Sequence, residues 1–246
     1  QEPGGRTIVR DGGRVFIRHD DNERFRHFGG NHRFEERGRE RFTYISRPGG
    51  YQIITVTDHN GRMLRRVRRG PDGREVVLIN NAVVGAAVAT GFILALAAPQ
   101  ILIPRERYIV DVQAAPPPLL YETLNAPPVV PLERAYALDE IRYNVNLRDR
   151  VRRLDLTTVT FDSGSWELSP EQFPRLEATA NVIRQVLARH PDAVFLIEGH
   201  TDAVGADVDN LSLSDRRAES VAVALTEQFQ IPPENLVTQG YGEQFL

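Results

Sequence analysis

Between Leu156 and Gln239 the spacing of apolar residues switches four times between the period of a strand and the period of a helix, and few folds accommodate that rhythm. Leu156 to Phe161 alternates as a strand does. Ser169-Pro170-Glu171-Gln172 then offers an N-cap serine, a proline at N1 and a glutamine at N3, which predict a helix start. Phe173, Leu176, Ala180, Ile183 and Leu187 recur at three and four residues to make one buried stripe, which His190-Pro191 ends. Ala193 to Glu198 reads as a second strand, Ser212 to Phe229 as a second helix with Ala218, Val221, Ala222 and Leu225 inward, and Leu236 to Gln239 as a third strand. The order β-α-β-α-β predicts an α+β domain with helices packed on one mixed sheet over residues 155–246.

Upstream the pattern differs. From Ile8 to Ile79 short β-type runs, such as Arg14 to Arg18 and Tyr51 to Thr57, are separated by the turn signals Asp11-Gly12-Gly13, Asn60-Gly61 and Pro71-Asp72-Gly73. Residues 1–81 are therefore expected to form an antiparallel β-rich module. Within it, His19 to Arg41 is very polar and weakly periodic, and it is expected as a long mobile loop. Residues 82–104 are apolar, and Ala82 to Ala98 has Thr90 as its single polar side chain. Seventeen residues lie at the lower edge of what crosses roughly 30 Å of hydrocarbon. Two readings stay open, a membrane span and an Ala- and Gly-rich segment buried in the N-terminal module or in a homo-oligomer interface. Six Arg precede this run within about twenty residues, and Arg105 and Arg107 follow it, so a span would place the C-terminal half outside the cytoplasm. Residues 105–154 contain Ala115-Pro116-Pro117-Pro118 and Ala126-Pro127-Pro128 and read as a semi-rigid, extended spacer.

Charge is divided unevenly along the 246 residues. All 30 basic residues are arginine, and residues 1–81 hold 17 of them against 11 acidic residues, whereas the remainder holds 13 against 22. A basic front half suits phosphate-rich ligands such as lipopolysaccharide, with nucleic acid disfavoured, but arginines on solvated strand faces are the simpler reading. Cysteine is absent, which excludes disulfides, thiolate metal sites, a cysteine nucleophile and a lipidated cysteine in this chain. The chain opens at Gln1 with no signal-peptide apolar core, so it reads as a processed or trimmed product.

The chemistry-bearing residues concentrate around the second helix. Glu198-Gly199-His200-Thr201-Asp202-Ala203-Val204-Gly205 follows the second strand, Asn210-Leu211-Ser212-Leu213-Ser214-Asp215-Arg216-Arg217-Ala218 opens the helix, and Gly240-Tyr241-Gly242-Glu243 follows the third strand. In this order and spacing the segment closely resembles the OmpA-like peptidoglycan-binding family, over roughly 90 residues. The resemblance implies noncovalent binding of the diaminopimelate residue of the wall's stem peptide, through Asp202 and Arg217. Diaminopimelate ends in an ammonium and a carboxylate on one carbon, which suits one anion beside one bidentate guanidinium; lysine could not reproduce that fork. Asn210 and Ser214 are expected to cap the helix or hold the loop, Thr201 to brace Asp202, and Gly205 to complete the turn. Asp162, Ser163 and Ser165 are weaker candidates for the pocket rim. Arg216 points about 100° around the helix and is expected at the surface. The family continues past this last motif with a further strand, whereas the chain stops at Phe245-Leu246, so a trimmed domain is expected.

The expected function is a tether between peptidoglycan and a membrane or envelope assembly, periplasmic in its C-terminal domain and associated with the outer or the inner membrane. No enzymatic activity and no cofactor is expected. A hydrolase built from Ser163 or Ser165 with His200 and Asp202 lacks a nucleophile elbow. A metal site from His19, Asp20, Asp21, His27 and His32 fits no rigid ligand spacing. Within the envelope class, a flagellar stator component would need a carboxylate in its membrane helix, and Ala82 to Ile103 contains none.

Overall fold

The computed structural model describes residues 5–11, 14–26, 31–81, 96–202 and 204–244. Its fold is α+β, with an antiparallel β-rich front and a C-terminal βαβαβ unit. Two strands, β1 (Thr7–Asp11) and β2 (Arg14–Arg18), pair as an antiparallel hairpin, and a single helical turn, α1 (Glu23–Arg26), follows. A five-stranded meander comes next: β3 (His32–Arg37), β4 (Glu40–Ser46), β5 (Gln52–Asp58), β6 (Met63–Arg69) and β7 (Glu75–Asn80), hydrogen-bonded in chain order. Gly61 and Gly73 take φ of +74° and +80° at the two turns expected to carry them. The expected mobile loop from His19 to Arg41 is corrected, since α1, β3 and the start of β4 fall within it. Asp21, Asn22, Arg24 and Phe25 are buried, and Phe25 shares a core with Ile45 and Ile53.

Most of the Ala82 to Ala98 run lies outside the described residues, and no helix among those described is long and apolar enough to cross a membrane. The stretch expected as an extended spacer is folded instead. It forms β8 (Ile109–Asp111), α2 (Pro117–Asn125), α3 (Leu138–Tyr143) and α4 (Val145–Arg148). Pro116 and Pro117 sit at the start of α2, where a missing N–H costs nothing, and Leu120 beneath them packs with Val110 and Val182. A proline cluster there opens a helix, which its composition alone does not distinguish from an extended chain.

Next come β9 (Arg153–Asp155), α5 (Phe173–Arg189), β10 (Phe195–Gly199), α6 (Asp207–Phe229) and β11 (Leu236–Gly240). The expected β-α-β-α-β order holds with two corrections: the first strand is Arg153–Asp155 while Leu156 to Phe161 is not a strand, and in place of one mixed sheet β9 pairs with β8 and β10 with β11 in two separate parallel pairs. Leu156, Val159 and Phe161 still pack against the core, so their alternation reports burial and not ladder pairing. Strands β10 and β11 are parallel, with Phe195 opposite Leu236. Phe195, Ile197 and Leu236 face α5 and α6, whereas Leu196 and Val237 face Met63 and Ile79 of the meander. Burial on both faces is the ordinary condition of parallel strands.

The front of the chain is fastened to the C-terminal unit by hydrogen bonds and buried charge. Gln239 Nε2 donates to the Ile17 carbonyl at 3.1 Å, and Phe16 lies 4.5 Å from Tyr143, ring to ring. Arg6 Nε donates to Asp215 Oδ2 at 2.8 Å, while Arg24 reaches both oxygens of Glu219 at 2.8 and 2.6 Å and the Leu236 carbonyl at 3.0 Å. His19 lies between Asp215 at 3.0 Å and Asp21 at 3.2 Å, and Arg142 bonds Asp21 from the far side at 3.3 Å. Burial alone would lower the His19 pKa, but Asp215 and Asp21 outweigh it and hold the value at about 10, so the ring is an imidazolium.

Candidate functional site

The candidate site is built where α6 presses on the ends of β10 and β11. A Cβ on Gly199 would come 2.0 Å from the Ser214 carbonyl oxygen, and one on Gly240 2.3 Å from the Asp215 nitrogen. Only glycine lets the helix approach so closely. The two loops that leave these strands are stitched together: Thr201 N–H donates to the Gly242 carbonyl at 2.9 Å, and Tyr241 N–H to the Gly199 carbonyl at 3.0 Å. Ser214 Oγ accepts from Gly242 N–H at 2.8 Å and donates to the Leu211 carbonyl at 2.9 Å.

The β10–α6 loop exposes Asp202. Asn210, buried on the first turn of α6, donates from Nδ2 to the Asp202 carbonyl at 3.3 Å. Gly205 takes φ of +113°, facing Asn210 Oδ1. Asn210 and Ser214 therefore hold the loops, as expected, but neither caps the helix. It begins at Asp207, about a turn before Ser212, with Asp207 and Asp209 in the first turn where the helix dipole favours them. Thr201 contributes its backbone; its hydroxyl is buried without a hydrogen-bond partner and does not brace Asp202.

Arg217 leans the other way, onto the 161–166 turn. Its Nε donates to the Ser165 carbonyl at 2.9 Å and its Nη2 to the Asp162 carbonyl at 3.2 Å, with the guanidinium carbon 5.1 Å from the Phe161 ring centre. Burial pulls its pKa down while the Asp202 carboxylate pushes it up, which places the two charges within each other's field. One edge of the fork is thus fixed by backbone. The other edge, Nη1 with the second Nη2 proton, has the geometry to receive a carboxylate. Asp162 enters the site through its carbonyl, and Ser163 is exposed on the same turn.

Residues that sequence reasoning passed over are Trp166, Asp215 and Ser220. The Arg216 guanidinium lies 4.4 Å from the Trp166 ring centre, and Ser220 Oγ donates to the Trp166 carbonyl at 2.6 Å. A lone tryptophan in a polar turn was the available signal. Asp215 joins α6 to β11 through Gly240 N–H at 3.1 Å while accepting Arg6, a role no local pattern marks. His200 faces Glu198 at 3.7 Å and stacks 5.5 Å from Tyr241, as suits a structural side chain. Of the weighed metal ligands, His19 and Asp21 meet Glu219, with ligand atoms within 4.8 Å of one another. The imidazolium and the arginines already satisfy those carboxylates, so the group is an ion-pair network.

Residues 160–245 match the sequence profile of the OmpA family. This stretch is an OmpA-family domain. The probable lipoprotein YiaD of Escherichia coli is 37% identical over 84 residues, 34% of this chain and 36% of that protein. Outer membrane porin F of Pseudomonas aeruginosa is 31% identical over 85 residues, 35% of this chain and 23% of that protein. Among solved structures, the peptidoglycan-associated lipoprotein from Burkholderia pseudomallei is 28% identical, covering 35% of this chain and 69% of that one, with a TM-score of 0.30. The likeness to the two curated relatives spans about a quarter to a third of their length. Asp202, Arg217 and the two stitched loops all fall inside the OmpA domain.

Proposed function

We propose that the chain is a noncovalent tether, in which the OmpA domain grips peptidoglycan and the remainder joins a membrane or another envelope component. The ligand group is the zwitterionic end of diaminopimelate, its ammonium against Asp202 and its carboxylate against the outer edge of the Arg217 fork. The observation that carries this reading is a guanidinium whose inner edge is locked by two carbonyls, with the exposed Asp202 carboxylate close enough to act on its charge. A fork held in this way loses little freedom on binding, which favours affinity. The names of the curated relatives, a porin and a probable lipoprotein, support a place in the cell envelope.

Asn210, Ser214, Thr201 and Gly205 hold the loops that present Asp202, while Asp162 and Ser163 form the opposite rim. Membrane or homo-oligomer contact is assigned to residues 82–104, most of which lie outside the described residues. A phosphate-binding role for the arginine-rich front is less supported, because Arg6, Arg24 and Arg62 are committed to buried carboxylates and Arg37, Arg41 and Arg69 to surface ones. The test is cosedimentation of the whole chain with purified diaminopimelate-type peptidoglycan. Retention of the wild type with loss in both Asp202→Ala and Arg217→Ala is expected; equal retention of all three would sink the site assignment.

A further inference from the structure

Trp166 is the one tryptophan of the chain, and it is 42% exposed. Water-exposed indole is an unfavourable use of the largest apolar side chain, and it suggests a surface kept for a partner. Its backbone is not loose. The carbonyls of Asp162, Ser165 and Trp166 are each held by α6, at 3.2 and 2.9 Å by Arg217 and at 2.6 Å by Ser220. The Arg216 guanidinium, 4.4 Å from the ring centre, lies over one face and leaves the other face to be covered by a partner. The result is a rigid, flat, wet apolar platform whose ordering is complete before any ligand arrives.

The platform is also next to the anchor, since Arg217 bonds the carbonyl of the residue just before it. A stem peptide held there by its third residue hangs from a sugar, and two or three extended residues span roughly 10 Å. A sugar at that reach can lie beside the turn that the Arg217 fork holds. A pyranose ring has a flat C–H face of about the size of an indole and a hydroxylated rim that stays wet.

We propose that Trp166, backed by Arg216, is a sugar subsite that stacks the pyranose carrying the gripped stem peptide. The proposal rests on the reading of Asp202 and Arg217 as the peptide anchor. It makes the domain a reader of peptide and glycan together, so that it favours stem peptides still attached to the wall over free ones.

The experiment uses the whole chain with two soluble probes, the diaminopimelate tripeptide alone and the same tripeptide carrying its disaccharide, titrated by calorimetry. The wild type should bind the disaccharide probe about tenfold more tightly, the scale of one well-buried aromatic contact. Trp166→Ala should remove that gain and leave the bare-peptide Kd unchanged, and Trp166→Phe should keep part of it. The single indole also reports directly: its emission should shift with the disaccharide probe and not with the bare peptide. No gain from the sugar in the wild type, or equal weakening of both probes by Trp166→Ala, overturns the subsite. So does a Trp166→Ala effect confined to self-association in sedimentation, which would make the indole a contact between copies. Asp202→Ala should weaken both probes; if it weakens neither while the sugar gain persists, the anchor reading fails and the sugar subsite stands.

Discussion

At the scale of single residues, the candidate site depends on groups that cannot be exchanged for near relatives. Gly199 and Gly240 face the α6 backbone at distances no Cβ can occupy, so Gly199→Ala and Gly240→Ala must each push the helix outward. Each should destabilise the chain by about 1–3 kcal/mol or more, read as a lowered denaturation midpoint in urea. Arg217 is equally specific, for a different reason. It holds two carbonyls with one edge and, on the proposed reading, offers its other edge to the ligand carboxylate, whereas a lysine ammonium has three donors around a point and no edges. Arg217→Lys should therefore lose peptidoglycan retention nearly as fully as Arg217→Ala, although the positive charge is kept; retention at the wild-type level would show that charge alone suffices.

Among the elements, α6 does the most. From its middle Asp215 and Glu219 anchor the N-terminal hairpin and helical turn, while Arg217 and Ser220 pin the 162–166 turn on another side. Glu219→Gln would leave the Arg24 guanidinium, which has no exposed surface, with Asp21 at 3.6 Å as its remaining counter-charge, and losses of this kind cost up to about 3–5 kcal/mol. The network should also titrate. With the His19 pKa raised from 6.5 to about 10, its stabilising contribution is complete below about pH 6.5 and disappears as pH climbs through about 10. Asp215 and Asp21 are shifted downward from 3.8, so theirs is complete above that value and is lost in acid. Thermal unfolding followed from pH 6 to 10 should show a falling Tm in the wild type and a flatter profile in His19→Gln. The elements of the C-terminal unit were legible because their helices carry long apolar stripes, Leu176 to Ile183 and Ala218 to Leu225, and because Gly199, Asp202 and Gly240 sit at motif positions. The segment from His19 to Arg41 was not. Its charges read locally as solvated, and the partner that buries Arg24 stands 195 residues away, beyond any local window. Trp166 escaped for the related reason that its neighbours, Arg216 and Ser220, belong to a helix some fifty residues on.

For the whole molecule, the opposed charges of the two halves find an internal explanation. Arg6, Arg24 and Arg62 from the basic front meet Asp215, Glu219 and Asp139 of the acidic remainder, so much of the imbalance is complementarity within the chain. A chain beginning at Asn31 would uncover Asp215 and Glu219 and the packing of Ile17 and Phe25. Its Tm should drop by roughly 10 °C, following the cost of an orphaned buried pair, and a fragment restricted to residues 155–246 should fare worse. The bonds that seat the front end join residues 209 and 222 positions apart, nearly the full length of the chain. Contacts so distant in sequence form late and slowly, because the chain must close its largest loops to make them. The arginines of this front end are synthesised before their partners and are thus among the last groups to settle, waiting for carboxylates that the ribosome has yet to supply.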